Sequence, residues 1–399
     1  MSLTGTSDQG SAYGRPQQHT HKLLTEVGAG TPCGELLRRY WQPVAISAQI
    51  TSERPREVRV MGEDLVLFRD TTGRAGLLYS RCMHRGTSLY FAKSEARGLR
   101  CCYHGWLYDV EGHCLDQPCE VDGGRNRKNV RQPWYPVEER YGLIFAYMGP
   151  LAKKPVLPHY DILEGAQSYE VAIGGWGSSN DASIDIVPYG WQNMIDNLMD
   201  PFHVFILHST LTGIQFNPEF AKMPKITFSP ADIGLTHTAS RRLTDGRVYE
   251  RIVSVMFPNM ISVPHITLDA GPATSVTWVV PVDDNSYVHV LCGKKGDKPE
   301  FGIIKERSLD KSWGEMTALE RRDYPRDYEA QAGQGVHSLH SEEHLVGSDQ
   351  GIVMQRRLFA RQIEIVQQGG DPMNVGFDPA KALVKVGARN YYPAAQAAE

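Results

Sequence analysis

Hydrophobic and polar residues alternate through much of the first part of the chain. Residues 57–68 alternate around a turn at residues 62–64, and a second turn at residues 72–73 precedes another apolar stretch. A short helical pattern at residues 33–41 comes before these segments, and the apolar run at residues 142–148 closes them. Strict alternation is typical of strands with one buried face. The pattern predicts a β-rich domain after a short leading helix.

The remaining sequence mixes helical and strand patterns. Residues 191–208 follow a helical pattern, two hairpins turn at residues 245–246 and 283–285, and a longer helical pattern covers residues 351–368. Strands followed by helices predict an antiparallel sheet with helices packed on one face. We therefore predict that this part of the chain belongs to the α+β fold class.

Three segments are predicted from these patterns. Residues 1–22 include many Gly, Ser, Thr and Gln residues and are predicted to form a flexible tail. Residues 23–153 form the β-rich domain with its leading helix, and residues 154–399 form the α+β domain. The boundary lies in a stretch with Pro and Lys residues, 151–160, which has no periodic pattern.

Composition and charge narrow the classes of function. The 399 residues include 42 Lys and Arg against 46 Asp and Glu, for a formal net charge of -4. This balance, without a long basic run, argues against a nucleic-acid partner. No apolar stretch approaches the roughly 18 residues that a membrane span needs, and the N-terminus lacks an apolar secretory segment. We therefore expect a cytoplasmic protein without a membrane partner, in which the seven cysteines serve something other than disulfides.

Two short groups of metal-ligand residues occur within residues 82–106. The first is Cys82-x-His84, and after sixteen residues comes the second, Cys101-x2-His104. Each pair fits on one loop, and the gap accommodates a hairpin. Two Cys on one iron and two His on the other are the ligands of a two-iron, two-sulfur cluster whose reduction potential is raised by the neutral imidazoles. We therefore predict a [2Fe-2S] cluster that accepts electrons.

Two alternatives remain at this cluster. A structural zinc site also uses two Cys and two His, although zinc sites more often pair C-x2-C with H-x3-5-H. Cys102 is a second candidate thiolate, since Cys102-x-His104 also forms a pair; we choose Cys101 and expect Cys102 to be a buried small hydrophobic residue. The same structural role is expected for Cys33, Cys114, Cys119 and Cys292.

A second set of ligand residues lies in the helical segment at residues 191–208. It contains Asn197-x2-Asp200-x2-His203-x4-His208. Two imidazoles and one carboxylate on one face of an iron leave positions open for O₂, as in non-haem Fe(II) oxygenases. Five residues along an ideal helix turn through about 140°, so His203 and His208 converge only if a helix end or a wider turn separates them. Asp200, one turn before His203, is expected to orient that imidazole through its carboxylate.

Together these motifs resemble the α-subunit of Rieske non-haem iron oxygenases, specifically the phthalate dioxygenase-like branch that includes aryl O-demethylases. The resemblance covers residues 23–382. It implies an all-β Rieske domain followed by a helix-grip catalytic domain, with His203 and His208 as ligands of a mononuclear Fe(II). It also implies a homotrimer, in which Asp200 bridges from His203 to His104 of a neighbouring subunit. Asn197 and Asp200 are therefore the candidate catalytic residues.

The carboxylate ligand of this iron comes from the resemblance alone. The family's late block places an Asp before a Gln-Gly pair and an EHL…SD…RR run, and this arrangement puts the ligand on Asp327. Asp349 is the rival, although its Ser-Asp context is typical of a helix N-cap. The sequence from His340 to His344 also matches the H-x2-E-H pattern of zinc proteases, for which a polar surface helix is the alternative explanation. The other late carboxylates considered are Asp310, Asp323, Glu342 and Glu343.

The function expected from this reasoning is that of the terminal component of a multicomponent oxygenase. It would dihydroxylate, monooxygenate or O-demethylate a small aromatic substrate, with an aromatic acid or aryl ether as the favoured class. No dinucleotide-binding fingerprint is present, so a separate NAD(P)H-dependent reductase, with or without a ferredoxin, must supply the electrons. The alternative is a Rieske electron-transfer or ligand-binding protein without a catalytic iron. Arg241, Arg242, Arg247 and Arg251 fall on the predicted pocket sheet, and none of them is assigned to substrate.

Overall fold

The computed structural model describes residues 16–122, 124–175, 185–211, 213–296, 305–306 and 309–393. Two short helices, α1 (Lys22–Thr25) and α2 (Pro32–Leu37), precede the first strands. Helix α2 begins where the Thr31 hydroxyl accepts a hydrogen bond from the amide of Gly34, with a proline in its first turn. It ends earlier than the sequence predicts, because Trp41 already belongs to a strand.

The first domain consists of short antiparallel sheets. One sheet has three strands in the order β1-β11-β10, a second has the order β2-β3-β4-β9, and a third has the order β5-β6-β7-β8. The predicted β-rich architecture is confirmed. The strands are β1 Trp41–Ile46, β2 Arg56–Val60, β3 Glu63–Arg69, β4 Ala75–Tyr79, β5 Lys93–Glu95, β6 Gly98–Arg100, β7 Leu107–Tyr108, β8 Cys114–Asp116, β9 Trp134–Tyr135, β10 Val137–Arg140 and β11 Leu143–Tyr147.

The second domain is built on a nine-stranded antiparallel sheet. Seven strands follow the order β13-β20-β19-β17-β16-β15-β14, while β24 pairs with β16 and β18. Two further pairs, β12–β23 and β21–β22, lie outside this sheet. The strands of the domain are β12 His159–Tyr160, β13 Tyr169–Gly174, β14 Lys225–Ala231, β15 Gly234–Arg242, β16 Val248–Met256, β17 Met260–Ser262, β18 Gly271–Pro272, β19 Ser275–Asp283, β20 Ser286–Lys294, β21 Lys305–Glu306, β22 Lys311–Ser312, β23 Leu383–Val384 and β24 Arg389–Tyr391. Both predicted hairpins, β15–β16 and β19–β20, are present.

The helices of this domain are α3 Trp191–Leu198, α4 Phe202–Ile206, α5 Ala318–Asp323, α6 Asp327–Gly333 and α7 Gln350–Gln367. Helix α3 packs against β19 of the nine-stranded sheet. The longest, α7, buries Phe359 against Trp191 of α3 and against Phe257, with ring centroids 5.4 and 4.6 Å apart. The predicted α+β helix-grip arrangement is therefore confirmed. None of the helices in the described part of the chain is long and apolar enough to cross a membrane.

The two domains share one hydrophobic core. Phe145 of β11 contacts Trp278 of β19, with ring centroids 5.5 Å apart, and both belong to the same buried cluster. The turn between β2 and β3 joins the second domain through its main chain, because the amide of Met61 donates to the Pro281 carbonyl (2.9 Å) and the amide of Gly62 to Val282 (2.8 Å). The β-rich domain is thus held against the nine-stranded sheet by buried apolar contacts and by main-chain hydrogen bonds.

Candidate iron centres

Two loops with the same backbone turn carry the four predicted cluster ligands. One loop follows β4 and carries Cys82 and His84, and the other joins β6 to β7 and carries Cys101 and His104. In each loop the carbonyl of the Cys accepts a hydrogen bond from a glycine four residues later, Gly86 at 2.8 Å or Gly105 at 3.1 Å. These glycines have φ of 77° and 72°, the left-handed region that favours glycine. This turn makes each short motif fold back on itself.

The loops bring all four predicted ligands together. Cys82 and Cys101 are each 3% exposed, and the rings of His84 and His104 lie 4.5 Å apart between centroids. Trp106 stacks on His84 at 4.4 Å, with an angle of 6° between the ring planes. The buried Nδ1 of His84 has no hydrogen-bond partner among the described residues. A Rieske cluster requires two thiolates and two imidazoles as ligands, and this site brings together both pairs. The unsatisfied ring nitrogen belongs to one of these imidazoles and lacks the partner that a buried polar atom normally has.

The structure distinguishes the two neighbouring cysteines. Cys101 is buried beside Cys82, whereas Cys102 is exposed, so the expectation that Cys102 is a buried hydrophobic residue is wrong. Cys102 points away because only the first and last residues of the Cys-x2-His motif, Cys101 and His104, face the other loop. Cys119 is exposed too, contrary to expectation, while the three other cysteines assigned a structural role are buried: Cys33, Cys114 and Cys292.

The environment of the thiols favours the ligand form of Cys82. The hydrogen bond from Cys101 lowers the pKa of the Cys82 thiol to about 5, and the pKa of Cys101 is correspondingly raised. The Tyr108 hydroxyl also lies 3.3 Å from the sulfur of Cys82. Because the thiolate is the form that binds metal, these contacts favour the metal-binding form of Cys82.

A buried glutamine that the sequence analysis missed fixes the first loop. The side-chain oxygen of Gln132 accepts from the amide of Met83 at 2.9 Å. Its nitrogen donates to the carbonyl oxygens of Tyr79 and Arg81, both at 2.8 Å. Gln132 lies far along the chain from this loop, so no local pattern indicates its role.

The second set of ligands is built on a broken helix. Helix α3 ends at Leu198, Pro201 precedes α4, and α4 ends at Ile206, so that His203 lies on α4 and His208 just beyond its end. The amides of Thr210 and Leu211 both bond to the Ile206 carbonyl, which turns the chain tightly there. The helix end that convergence requires therefore separates the two histidines.

The two histidines meet the carboxylate of Asp327, the first residue of α6. The Nε2 atom of His203 lies 3.4 Å from one oxygen of Asp327, and that of His208 lies 3.0 Å from the other. One ligand atom from each of the three residues lies within 4.8 Å of the others. Two imidazoles and one carboxylate in this arrangement match the donor set of a mononuclear non-haem iron.

Hydrogen bonds orient each of the three candidate ligands. The Gln215 side-chain oxygen lies 2.7 Å from Nδ1 of His208, and the main-chain carbonyl of Asp200 lies against Nδ1 of His203. Both acceptors require a proton on Nδ1, which leaves the Nε2 lone pair for a metal. Asn197 donates to Asp327 at 3.2 Å. Asn197 thus contacts the candidate ligand Asp327, and Gln215 is a supporting residue that the sequence analysis did not name.

The expected role of the Asp200 carboxylate within the chain is wrong. Asp200 orients His203 through its main-chain carbonyl, while its carboxylate accepts a hydrogen bond from the amide of Phe202 at 3.1 Å. The reason is local: residues 200–202 form the turn that leads into α4, so the carboxylate closes this turn on the Phe202 amide and the carbonyl faces the imidazole.

Electrostatics within the triad favour an anionic Asp327. Burial works to raise the pKa of Asp327, but attraction and hydrogen bonding from His208, followed by His203, hold it well below its usual range. Burial lowers the pKa of His203, which keeps that imidazole neutral. Burial also works to lower the pKa of His208, but Asp327 outweighs it and the net shift is upwards. A deprotonated carboxylate and a neutral imidazole are the forms that bind a metal.

Removing the acceptor behind His208 is expected to weaken metal binding. In Gln215→Leu the His208 Nδ1 proton loses its partner, so we expect iron affinity to fall roughly 10- to 100-fold. Iron remaining after dialysis against increasing chelator measures the effect. Gln215→Glu, which keeps an acceptor oxygen, is the matched control and should stay near the wild type. Equal iron retention by the leucine variant and the wild type would contradict this role.

The rival ligands serve other purposes. Asp349 accepts a hydrogen bond from the amide of Val346 at 2.7 Å at the start of α7. His340 accepts from the amide of His21 at 3.0 Å. Within the described ranges, the triad of His203, His208 and Asp327 is the one group of three side chains close enough to share a metal. The protease-like pattern of residues 340–344 therefore forms no such group.

The late block quoted in the resemblance has a structural role. Arg356 of α7 pairs with Asp196 of α3 (2.6 Å) and with Glu343, all three side chains being largely buried. Because Asp196 lies one turn before Asp200, this network fixes α3 just ahead of the histidine-bearing segment. Glu343 and Arg356 belong to the EHL…SD…RR run of the sequence, whereas Asp196 was not predicted, since it lies far from Arg356 along the chain.

Known proteins with similar sequences support both the cluster site and the mononuclear iron site. Residues 40–135 match the family model described as the Rieske [2Fe-2S] domain. The chain is 53% identical to phenoxybenzoate dioxygenase subunit alpha of Ectopseudomonas oleovorans, over 96% of this chain and 94% of that protein. It is 36% identical to a tert-butanol monooxygenase / tert-amyl alcohol desaturase oxygenase subunit of Aquincola tertiaricarbonis (88% and 79% covered) and 35% identical to the 5,5'-dehydrodivanillate O-demethylase oxygenase subunit of a Sphingobium species (90% and 82% covered).

Solved structures agree on the fold. A dicamba monooxygenase structure superposes with a TM-score of 0.60 at 17% identity, covering 83% of this chain and 98% of that one. A two-domain fold with a Rieske site and a two-His, one-carboxylate site defines a non-haem iron oxygenase. This chain belongs to the Rieske oxygenase α-subunits, in the phthalate dioxygenase-like branch. It is a terminal oxygenase component that carries a [2Fe-2S] cluster and a mononuclear iron, so the zinc and electron-carrier alternatives are set aside.

Proposed function

We propose that this oxygenase acts on a carboxylated aryl ether of the phenoxybenzoate class. The observation that carries the proposal is the facial triad of His203, His208 and Asp327, whose ligand atoms lie within 4.8 Å of one another. The substrate class is supported by 53% identity to a phenoxybenzoate dioxygenase subunit over almost the whole chain. The relatives at 35–36% identity are named for other substrates. Their similarity therefore supports the class of reaction and not the substrate.

Each predicted site residue has a role in this proposal. Cys82, Cys101, His84 and His104 hold the cluster, and His203, His208 and Asp327 hold the iron. Asn197 fixes the orientation of Asp327 by its amide hydrogen bond (3.2 Å). Asp200 fixes His203 by its carbonyl. Its carboxylate, partly exposed beside the same helix, remains available to a neighbouring subunit.

The chemistry supplied by the bound groups is one-electron delivery at the cluster and O₂ activation at the iron. The chain's own residues define where that chemistry occurs. Burial lowers the pKa of His203 and so favours its neutral form. Burial opposes the anionic form of Asp327, but attraction and hydrogen bonding from His208 outweigh it and lower the pKa of this carboxylate. The His208 ring packs against Phe216, with centroids 4.6 Å apart, which gives this side of the site an apolar wall.

A homotrimer is proposed as the working assembly. The cluster loops present exposed Tyr103 and Met83, 57% and 49% accessible, beside the half-buried His104. Large apolar side chains at an exposed redox edge are suited to contact with another subunit. There, His104 would meet Asp200 of a neighbouring copy. A separate NAD(P)H-dependent reductase, directly or through a ferredoxin, supplies the electrons.

The domain boundaries and the compartment remain part of the proposal. We divide the chain into residues 1–22, 23–153 and 154–399. Residues 1–15 lie outside the described residues, whereas the amides of His19 and His21 donate hydrogen bonds to the side chains of Ser341 and His340. Free thiols at every cysteine fit the reducing cytoplasm, where we place the protein.

The proposal is tested by turnover with a reconstituted electron supply. The purified chain is mixed with NADH, a Rieske-oxygenase reductase and 3-phenoxybenzoate, and O₂ uptake is compared with the amount of oxidised product. We expect substrate-dependent uptake that matches product. O₂ uptake that does not depend on the aryl ether, or the absence of any oxidised product, would refute the proposed substrate class.

A further inference from the structure

Two buried arginines lie on the inner face of the catalytic sheet. Alternate residues of β15 point inwards, which places His237 and Arg241 on one face of this strand. On the neighbouring strand β16, Arg251 lies opposite Ala239, and Tyr249 lies opposite Arg241. Cationic side chains at inward positions of a sheet are uncommon, because burial of an unpaired charge is costly.

Arg241 is the more isolated of the two. It is 3% exposed, and its Nε donates to the carbonyl of Lys222 at 3.1 Å. No carboxylate in the described ranges lies within ion-pair distance of Arg241. Its guanidinium stacks over the ring of Phe220 at 5.1 Å, and that of Arg251 lies over the same ring at 5.8 Å. Burial, followed by the charge of Arg251, lowers the pKa of Arg241 to about 10, which still leaves it cationic at neutral pH.

An apolar layer connects this cation to the iron centre. Phe216 contacts the His208 ring and packs against the cluster that contains Phe220 and Tyr249. On the sheet side, burial lowers the pKa of His237, and the neighbouring groups Arg251, His203 and Arg241 lower it further. His237 is therefore close both to the iron centre and to the two arginines. Four residues along a strand, from position 237 to position 241, span about 13 Å. Aromatic side chains thus lie between His208 at the iron centre and the two arginines at the far end of this strand face.

We propose that Arg241 binds the carboxylate of an elongated aromatic acid substrate and thereby sets which end of the molecule faces the iron. This inference rests on the proposed function and specifies how its substrate class is recognised. A bound carboxylate would supply the counter-charge that Arg241 lacks and would accept hydrogen bonds from its terminal nitrogens. Arg251, whose guanidinium lies over the same Phe220 ring, adds positive potential beside Arg241, while the aromatic rings of the substrate would lie along Phe216.

A purely structural role for Arg241 is the alternative, in which its bond to Lys222 holds the segment 217–222 on the sheet. Paired probes separate the two roles. Binding of 3-phenoxybenzoate and of its neutral counterpart, 3-phenoxybenzyl alcohol, is measured by calorimetry on the iron-loaded protein. The variants are Arg241→Met, which removes the charge, and Arg241→Lys, which retains it. Arg242→Met is the matched control, because Arg242 is the next residue on the strand and is exposed.

For Arg241→Met we expect acid binding to weaken about 10- to 150-fold, the value of a hydrogen bond to a charged group, with less than about 3-fold change for the alcohol. Arg241→Lys should recover part of the loss, and Arg242→Met should bind both probes as the wild type does. Equal weakening of both probes indicates a structural role and overturns the inference. Unchanged acid binding by Arg241→Met, or no acid binding by the wild type, overturns it as well.

The two proposals can fail independently. If the wild type binds the acid through Arg241 but forms no oxidised product from it, the proposed substrate is wrong while the carboxylate site stands. If the wild type oxidises the aryl ether with an unchanged ratio of acid to alcohol affinity in Arg241→Met, the substrate class stands and the anchor is refuted.

Discussion

Replacing His203 with alanine is expected to remove one iron from each chain and abolish oxygenation. The wild type should contain about three irons and two acid-labile sulfides per chain, and His203→Ala about two irons and two sulfides, because the cluster loops lie in another domain. His203 contributes one of three ligand atoms, and two remaining ligands hold iron far more weakly. Metal analysis, sulfide analysis and O₂ uptake with product detection measure the three quantities.

The control for His203→Ala is His113→Ala. His113 is exposed and pairs with Asp109 at 3.0 Å, so its removal alters a histidine outside both centres. This variant should keep wild-type iron and activity. Loss of cluster iron and sulfide from His203→Ala would show that the substitution unfolds the protein, and wild-type iron content in that variant would remove His203 from the ligand set.

Replacing Cys101 with serine is expected to eliminate the cluster, with a loss of two irons, two sulfides and the EPR signal of the reduced Rieske centre. The buried thiol of Cys101 faces Cys82, whereas the neighbouring Cys102 is exposed and points away from Cys82. Without the cluster, electrons from a reductase cannot enter, so turnover should stop even though the mononuclear iron is retained.

Cys102→Ser is the matched comparison, since it changes the same atom one residue away. Because Cys102 is exposed, this variant should retain sulfide content, EPR signal and activity. The reverse result, with the cluster lost from Cys102→Ser and kept in Cys101→Ser, would assign the second thiolate to Cys102 and contradict the loop geometry described above.

The cluster loops were predictable from sequence because their chemistry is local. Cys82 and His84, like Cys101 and His104, are separated by one or two residues, and a glycine at a fixed position closes each turn. The hairpins β15–β16 and β19–β20 were predictable for the same reason, since alternation and turn residues occur in one short segment. Such features need no knowledge of distant contacts.

The remaining features depend on distant parts of the chain. Asp327 was identified only by resemblance, and Gln215, Gln132 and the pairing of Asp196 with Arg356 have no local pattern. The exchange of roles at Asp200, carbonyl for carboxylate, depends on where α4 begins. A helix boundary shifted by one residue would direct a different group of Asp200 towards His203, and sequence periodicity does not define boundaries that closely.

The shared core between the two domains affects how such enzymes can diversify. Phe145 and Trp278 belong to one buried cluster, and the β2–β3 turn is hydrogen-bonded to Pro281 and Val282. An electron-transfer module transplanted from a relative would therefore carry a mismatched half of a hydrophobic interior. Recombination between family members should succeed where the crossover keeps both halves of this shared core from the same parent. New substrate ranges are therefore easier to reach by substitutions within the catalytic sheet than by exchange of whole domains.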